Sequence, residues 1–134
     1  MQVDVTDIPQ VAVDFMNDDH AEAVTLLNRL FNTLETGNDR EVDGALSSFY
    51  QHNAEHFARE EEQMIRINFP PYTCHKGEHE RVLQEMRKTQ QQWQANHDRA
   101  ELNSYLKNTV IPWFVNHINT MDTVTAMFIS RHCA

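Results

Sequence analysis

Glycine and proline, the residues that most often interrupt regular secondary structure, are scarce in this chain. Only 3 Gly and 4 Pro occur among 134 residues, and the stretches 10–36 and 78–111 contain neither. Such long uninterrupted stretches favour helices and argue against a turn-rich β fold. The length is that of one domain with a sizeable core, so we expect residues 1–134 to form a single domain.

Basic residues and cysteines are also few, and both shortages narrow the function. With 11 Lys and Arg against 20 Asp and Glu, the formal net charge of −9 argues against nucleic acid or an anionic membrane as partner. Two cysteines, Cys74 and Cys133, do not make a disulfide framework. The least charged stretch, 108–121, is too short and too polar to span a bilayer. The sequence shows no basic, apolar, cleavable N-terminal segment, so we expect a cytoplasmic protein.

Apolar residues recur at three- and four-residue steps over four long segments, which predicts four helices. Their expected bounds are about 18–36, 40–67, 71–96 and 112–130. Residues 1–17 show no sustained period and are interpreted as an N-terminal arm lying along the body. Long helices with short connections predict an all-α, antiparallel up-down four-helix bundle, a fold that holds metals with side chains facing its core.

The ends of the predicted helices are assigned from capping residues and proline. Asn17, Asp18 or Asp19 is expected to cap the first helix, and Gly37 suits its C-terminus. Residues 97–110 are interpreted as a connection with helical character. Pro112 then either opens the last helix or kinks it.

The apolar sides of the predicted second and last helices also follow from this periodicity. On the second helix Ile65 is expected to face inward, and on the last helix Val124 is expected to do the same.

Histidine, by contrast, is abundant, and one histidine lies in the least charged part of the chain. There are 8 histidines in all, and histidine is the commonest protein ligand for metals. The segment 113–122 is bulky and nearly uncharged, which indicates a buried helix, yet it contains His117 and Asp122. Burying an ionised carboxylate is costly without a paired cation or a metal. In an α-helix Asp122 lies about 140° around from His117, so we expect it to reach sideways towards groups on other helices.

The other predicted helices supply such groups at helical spacing. His56 and Glu60 are one turn apart, as are His75 and His79, and His20 falls on the inward face of the first helix. Taken singly, each of these is more often an ordinary core or surface residue. Together they form a set of seven ionisable groups from all four helices: His20, His56, Glu60, His75, His79, His117 and Asp122.

This set of side chains narrows the choice of metal. Five imidazoles and two carboxylates are too many ligands for one zinc ion, which takes four. Calcium or magnesium would prefer oxygen ligands. Mixed imidazole and carboxylate ligation suits iron, with manganese or zinc as alternatives. Two metals bridged by two carboxylates fit the count.

Four motifs in order resemble the hemerythrins, specifically the single-domain bacterial members of this HHE cation-binding family. Over residues 14–130 the motifs are His20, then 56–61 (HFAREE) with Met64, then 75–79 (HKGEH) after 68–70 (NFP), then 113–118 (WFVNHI) with Asp122. The resemblance implies a non-haem, oxygen-bridged di-iron centre that binds molecular oxygen reversibly and also takes small anions.

The resemblance also assigns the ligands. His75, His79 and His117 would hold one iron. His20 and His56 would hold the other, with Glu60 and Asp122 bridging the two. The two carboxylates and a solvent-derived oxygen bridge would give each iron three ligands. The three histidines then bring the first iron to six ligands and the two histidines bring the second to five, so oxygen is expected at the second.

The chain departs from the family pattern in three places. The arm has Val13-Asp14-Phe15 where a tryptophan is usual, Phe114 stands where a leucine commonly lines the oxygen pocket, and Pro112 directly precedes the last motif. We expect Phe114, Ile118 and Trp113 to line the pocket.

Some histidines and Cys74 fall outside the predicted ligand set. His52, one turn before His56, is expected not to be a ligand. Cys74 is expected to point to a different helix face from His75 and to carry an inert thiol.

Two classes of function use the same ligands. The favoured one is a non-enzymatic oxygen-binding protein for storage, transport or sensing. The alternative is a di-iron enzyme such as an oxidase, a peroxidase or a nitric-oxide-handling protein. Histidines dominate the site and no Glu-x-x-His ligand pair is present, which favours reversible binding. A structural metal site or an iron donor is a third interpretation.

Overall fold

The computed structural model describes residues 3–132, apart from the side chain of Val5. The first two residues of the predicted arm and Cys133 lie outside these residues. A 3-10 turn at Val5–Asp7 precedes α1 (Asp14–Thr36), α2 (Asp39–Arg66) and α3 (Tyr72–Asn96). The last element is a continuous helix, called here the fourth helix. Its segments are α4 (Arg99–Tyr105), a π-turn (Leu106–Val110), α5 (Ile111–His117), a second π-turn (Ile118–Asp122) and α6 (Thr123–His132). The predicted antiparallel four-helix bundle with an N-terminal arm is confirmed.

The first helix begins four residues earlier than predicted, and its predicted caps have other roles. Val13 is the N-terminal residue before the helix, and it makes no side-chain cap. Asn17 instead binds the arm through two hydrogen bonds: its Oδ1 accepts the N–H of Val11 (2.8 Å) and its Nδ2 donates to the Val11 carbonyl (2.9 Å). Asn28 makes the same pair of hydrogen bonds with the backbone N–H and carbonyl of Val3, both at 2.7 Å. The arm therefore packs along α1, and its Ile8 is buried.

The turn between α1 and α2 follows from local capping chemistry. Gly37 ends α1, as predicted, and its N–H donates to the Thr33 carbonyl at 2.8 Å. A Cβ at this position would lie 2.7 Å from the Thr33 methyl carbon, so the close approach requires glycine. Asn38 and Glu41 then form a reciprocal capping box at the start of α2.

The predicted bounds of the last helix are wrong, because the helix begins at Arg99 and passes through Pro112. Asp98 caps it by accepting the N–H of Glu101 at 3.0 Å. Pro112 has no N–H and its ring crowds the carbonyl four residues earlier. The π-turn just before it, closed by the Ile111 N–H on the Leu106 carbonyl, widens the helix at that point. Residues 99–110, predicted as a connection, are therefore part of the fourth helix.

The second π-turn also changes which residues of α6 face inward. A π-turn contains one more residue than an α-turn, so later residues rotate by about one position. The buried residues become Asp122, Thr125, Ala126 and Ile129, while Val124 is 54% exposed. The prediction that Val124 faces inward is therefore wrong.

The same prediction for Ile65 is also wrong, for a simpler reason. Ile65 is 58% exposed, because the adjacent Met64, about 100° away, takes the inward position.

The core of the bundle is stratified along its axis. One part, called here the apolar layer, is a large buried cluster that includes Leu27, Leu30, Phe31, Val42, Leu46, Phe49, Val82, Met86, Trp93, Leu102 and Leu106. A small cluster of Met16, Ala126 and Ile129 lies towards the other end. The predicted polar residues occupy the helix positions between them. None of the helices in the described part of the chain has both the length and the apolar character needed to cross a bilayer.

Candidate metal centre

The structure brings all seven predicted ligand residues together in the buried interior, called here the histidine layer. Their potential ligand atoms form two groups, each with its atoms within 4.8 Å of one another. One group is Glu60, His75, His79, His117 and Asp122, and the other is His20, His56, Glu60 and Asp122. The two carboxylates belong to both groups. The arrangement is that of two adjacent cation sites sharing two carboxylates.

The three-histidine group is compact. His117 Nε2 lies 3.1 Å from His75 Nε2 and 3.2 Å from His79 Nε2. Asp122 Oδ1 lies 3.1 Å from the Nε2 atoms of both His75 and His117. Glu60 Oε1 lies 3.4 Å from His79 Nε2. Three imidazole nitrogens and two carboxylate oxygens thus surround one point.

The two-histidine group approaches the other oxygen of Asp122 and the same oxygen of Glu60. His20 Nε2 is 3.1 Å from Asp122 Oδ2, and His56 Nε2 is 3.5 Å from Glu60 Oε1. The rings of His20 and His56 meet edge to face, with centroids 5.0 Å apart.

The second π-turn explains how one helix supplies both His117 and Asp122. The expectation that the two lie 140° apart assumed an uninterrupted α-helix. The turn Ile118–Asp122 instead closes with the Thr123 N–H on the Ile118 carbonyl, so five residues cover about the arc of four. The remaining offset is about 40°, and His117 and Asp122 touch at 3.1 Å. The aspartate also reaches α1 and α3, as expected, through His20 and His75.

Three of the histidines are held by partners on their outer ring nitrogens. His56 Nδ1 donates to Asp19 Oδ2 at 2.9 Å, and His79 Nδ1 donates to Glu61 Oε2 at 2.9 Å. His75 Nδ1 lies 2.8 Å from Thr125 Oγ1. A carboxylate only accepts, so the hydrogen of His56 and of His79 is on Nδ1. Their Nε2 lone pairs therefore point inward, as metal-ligating histidines require.

Burial controls the ionisation of the histidine layer. It raises the pKa of Glu60 well above the ordinary range, and the nearby Asp122 charge raises it further. Burial alone would also raise the pKa of Asp122. Hydrogen bonds from the surrounding histidines, His117 foremost, outweigh burial and hold that pKa well below its usual range. For His79, burial and the neighbouring imidazoles lower the pKa to about 2. The imidazole is therefore neutral, the form that binds metals.

Unpartnered polar atoms test whether this cluster fits a metal. His20 Nδ1, His56 Nε2 and both oxygens of Glu60 are buried without a hydrogen-bond partner among residues 3–132. Each such atom costs about 1–3 kcal/mol of stability. A cation at each group would be bound by the lone pairs of His56 Nε2 and of Glu60, whereas His20 Nδ1 is the outer nitrogen of a ring whose Nε2 faces Asp122. The donor set fits a metal, and the cluster is able to hold one.

The predicted pocket residues occupy two different sides of the cluster. The Phe114 ring lies edge-on to His20 with centroids 5.7 Å apart, and Ile118 is fully buried on the same helix. Phe114 also lines a cavity of about 10 Å³, which continues beneath the arm at Val3 and Ile8. Trp113 instead stacks on His117, with centroids 4.5 Å apart, and its Nε1–H donates to Glu78 Oε1 at 2.7 Å.

The remaining histidines and Cys74 lie outside the two groups. His52 is buried, and its Nε2–H donates to the Asp19 carbonyl at 2.8 Å. His97 caps the C-terminus of α3, and His132 is exposed with Nδ1 on the Phe128 carbonyl. Cys74 is exposed and carries a free thiol.

Sequence reasoning did not find the outer partners Asp19, Glu61 and Thr125, nor Arg59, which binds Asp19. In the sequence Asp19 is an ordinary candidate for a helix cap. Its position directly before His20 gives no hint of its contact with His56, which is 37 residues away. Only the packing of α1 against α2 reveals it.

Comparison with known proteins agrees with this geometry. Residues 11–129 match the family model described as the hemerythrin HHE cation binding domain. The chain is 30% identical to a bacteriohemerythrin of Aquifex aeolicus over 112 residues, which cover 84% of this chain and 86% of that protein. It is 32% identical to a bacteriohemerythrin of Ralstonia nicotianae over 112 residues, covering 84% and 77% of the two chains.

A solved structure leads to the same family. A crystal structure of wild-type hemerythrin superimposes with a TM-score of 0.79 at 25% sequence identity, covering 97% of this chain and 98% of that one. By its family model, its relatives and its fold, the chain belongs to the hemerythrin family of HHE cation-binding proteins.

Proposed function

We propose that this protein binds dioxygen reversibly at a di-iron centre in the histidine layer. His75, His79 and His117 hold one iron and are called here the three-histidine side. His20 and His56 hold the other and form the two-histidine side, and Glu60 and Asp122 bridge the two. The observation that carries the proposal is the pair of ligand groups sharing two buried carboxylates in a chain of the hemerythrin family.

The choice of iron rests on the ligand atoms. Five imidazoles and two carboxylates give a mixed nitrogen and oxygen set, which suits iron better than calcium or magnesium. When bound, two irons supply the electrons that allow dioxygen to be held and then released unchanged. The protein contributes the asymmetric set of ligands, with three histidines on one side and two on the other.

The surroundings of the two-histidine side favour binding over chemistry. The apolar ring of Phe114 meets the His20 ring in an edge-to-face contact. The Asp19 carboxylate accepts a hydrogen bond from Nδ1 of His56, the nitrogen that points away from the cluster, and Arg59 fixes it there. It is therefore not placed to give a proton to a bound gas molecule. An apolar wall keeps water away from a bound gas molecule. A protein with this site can serve oxygen storage, transport or sensing.

The test is an anaerobic titration of the iron-loaded protein with dioxygen, followed by removal of the gas. We expect two irons per chain, one dioxygen bound per iron pair, and full return of the starting visible spectrum on removal. Turnover of a co-substrate, or irreversible oxidation in the first cycle, would instead support the di-iron enzyme.

A second measurement examines the unequal irons. Azide should bind the oxidised protein once per iron pair, on the two-histidine side. Two azides per pair, or azide on the three-histidine side, would contradict the assignment of ligands.

A further inference from the structure

We propose that Asp19 is a positioning residue that sets the donor strength of His56, and so tunes the metal on the two-histidine side. The inference rests on the proposed function, because it assumes two metals per chain. It extends that proposal by assigning a tuning role to a residue outside the predicted ligand set.

Asp19 joins α1 to α2 through three residues of α2. Its Oδ2 accepts the Nδ1–H of His56 at 2.9 Å and the Nε–H of Arg59 at 3.0 Å. Its Oδ1 accepts the Nη2–H of Arg59 at 2.7 Å, which completes a two-bond fork. Its backbone carbonyl accepts the Nε2–H of His52 at 2.8 Å. The carboxylate is therefore fixed in position before any metal binds.

The position of Asp19 in the sequence connects it to both histidines of this side. It directly precedes His20, so the contacts that fix Asp19 also fix the backbone that carries His20. His52, which donates to the Asp19 carbonyl, has a ring parallel to that of His56 within 5°, with centroids 6.3 Å apart. One residue thus orients His56 by a hydrogen bond and His20 through the chain.

The partners of the other histidines show what is particular about this contact. His75 Nδ1 faces the neutral hydroxyl of Thr125, and His79 Nδ1 faces the carboxylate of Glu61. His56 Nδ1 faces the carboxylate of Asp19, which also accepts two hydrogen bonds from Arg59. A carboxylate on the outer nitrogen raises the basicity of the inner one and fixes the ring. Arg59 donates to both oxygens of the same carboxylate and moderates its charge. Asp19 and Arg59 therefore act on the bound metal with opposite sign.

The experiment compares three variants of the full chain with the wild type. Asp19→Asn keeps the shape but removes the charge, and its amide N–H groups face the donors of Arg59. Arg59→Met keeps the carboxylate on His56 and removes the positive charge. Asp18→Asn is the matched control, because it makes the same chemical change at the neighbouring exposed position.

Two quantities are measured: Fe(II) affinity by anaerobic titration, and the reduction potential by titration with redox mediators. In Asp19→Asn we expect the second iron equivalent to bind roughly 10–100-fold more weakly and the first to be unchanged. The reduction potential should rise in Asp19→Asn and fall in Arg59→Met, because the two variants remove charges of opposite sign. Asp18→Asn should match the wild type.

Opposite shifts of the reduction potential in Asp19→Asn and Arg59→Met distinguish tuning of the metal from a structural role. Potentials that move in the same direction in both variants overturn the inference, as does an unchanged Asp19→Asn. Loss of both iron equivalents in Asp19→Asn, with a lower Tm of the metal-free protein, also overturns it and leaves a structural role. Neither measurement uses dioxygen, so a wild type that binds two irons but no dioxygen overturns only the proposed function. A wild type that binds one iron overturns both.

Discussion

The apolar layer and the histidine layer of this bundle are equally buried, but one consists of apolar side chains and the other of ionisable ones. Leu30 in the apolar layer and Glu60 and His79 in the histidine layer are all 0% exposed. Burying the apolar side chains is favourable, at roughly 25 cal/mol per Å². Burying carboxylates and imidazoles is unfavourable unless they are paired or bind a metal.

The two layers have different roles: the apolar layer stabilises the fold, and the histidine layer gathers the candidate metal ligands. The apolar layer holds the four helices together without a ligand. The histidine layer gathers side chains that, without metal, leave polar atoms of His20, His56 and Glu60 unpartnered among the described residues. The histidine layer therefore lowers the stability of the metal-free bundle, and the same side chains are able to hold a metal. Variants and metal removal should affect the two layers differently.

Removing a large side chain from the apolar layer should have the greatest effect on stability, and the effect should not depend on metal. Leu30→Ala leaves a cavity at a fully buried position and should lower the free energy of unfolding by about 2–5 kcal/mol. Urea denaturation measures the loss in the metal-free and iron-loaded forms.

The control for Leu30→Ala is Ile65→Ala, because Ile65 is an apolar residue that is 58% exposed. It should change stability by less than about 0.5 kcal/mol. The iron content of Leu30→Ala should equal that of the wild type. A loss of iron in this variant would mean that the two layers are not separable.

Iron loading should stabilise the whole protein by an amount comparable to that cavity. A metal held at 1,000 times its dissociation constant adds about 4 kcal/mol of stability. Urea denaturation with iron and with a chelator measures the difference. Hydrogen exchange should slow most at the backbone around His20, His56 and Asp122 and least around Leu30. Uniform slowing along all helices would contradict a local effect of the metal.

Two histidines one turn apart on α2 should differ sharply in their contribution to metal binding. His56→Ala removes a nitrogen that faces Glu60 at 3.5 Å, and the second iron equivalent should be lost. His52→Ala removes a ring whose Nε2 donates to the Asp19 carbonyl and whose Nδ1 lies 3.7 Å from Glu22 Oε2, and most of the iron should remain. Iron analysis after desalting makes the comparison. Equal losses, or a greater loss in His52→Ala, would mean that the ligand assignment is incorrect.

Replacing Glu60, a proposed bridging carboxylate, should stabilise the metal-free fold while abolishing metal binding. Both oxygens of Glu60 are buried without a hydrogen-bond partner in the described part of the chain. Glu60→Leu should therefore raise the free energy of unfolding of the metal-free protein by roughly 1–3 kcal/mol. Glu62→Leu, two residues away and exposed, is the control for adding an apolar residue to α2. A destabilised Glu60→Leu would show that this carboxyl contributes to the fold itself.

The sequence was sufficient to predict the four helices, the bundle and the seven residues of the cluster, because these depend on local spacing. His56 and Glu60, or His75 and His79, lie on one helix face wherever that helix is placed. The family resemblance supplied the order of the motifs, which spacing alone does not connect.

The features that were missed depend on packing or on irregular helix geometry. Apolar periodicity assumes a uniform turn, so it could not show the π-turn that rotates Asp122 inward and Val124 outward. Pro112 was recognised as a disturbance, but the wider turn that accommodates it was not. The contact of Asp19 with His56 joins two helices, and single-helix patterns carry no information on such pairs.

The smallest expected effect concerns the boundary between the layers, where Phe114 belongs to both. Phe114 is 8% exposed and packs in the apolar layer. Its ring meets the His20 ring edge to face, with centroids 5.7 Å apart. Phe114→Ala should open this wall to water and anions, which promote loss of bound dioxygen as a reduced species. We expect autoxidation of the oxygenated protein to become several-fold faster, and Phe114→Leu to lie between Ala and the wild type. The decay of the oxygenated visible spectrum measures the rate. Phe128→Ala is the matched control, because Phe128 is a residue of α6 whose ring packs on Phe69. If Phe114→Ala and Phe128→Ala decay at the wild-type rate, the water-excluding wall lies elsewhere in the histidine layer.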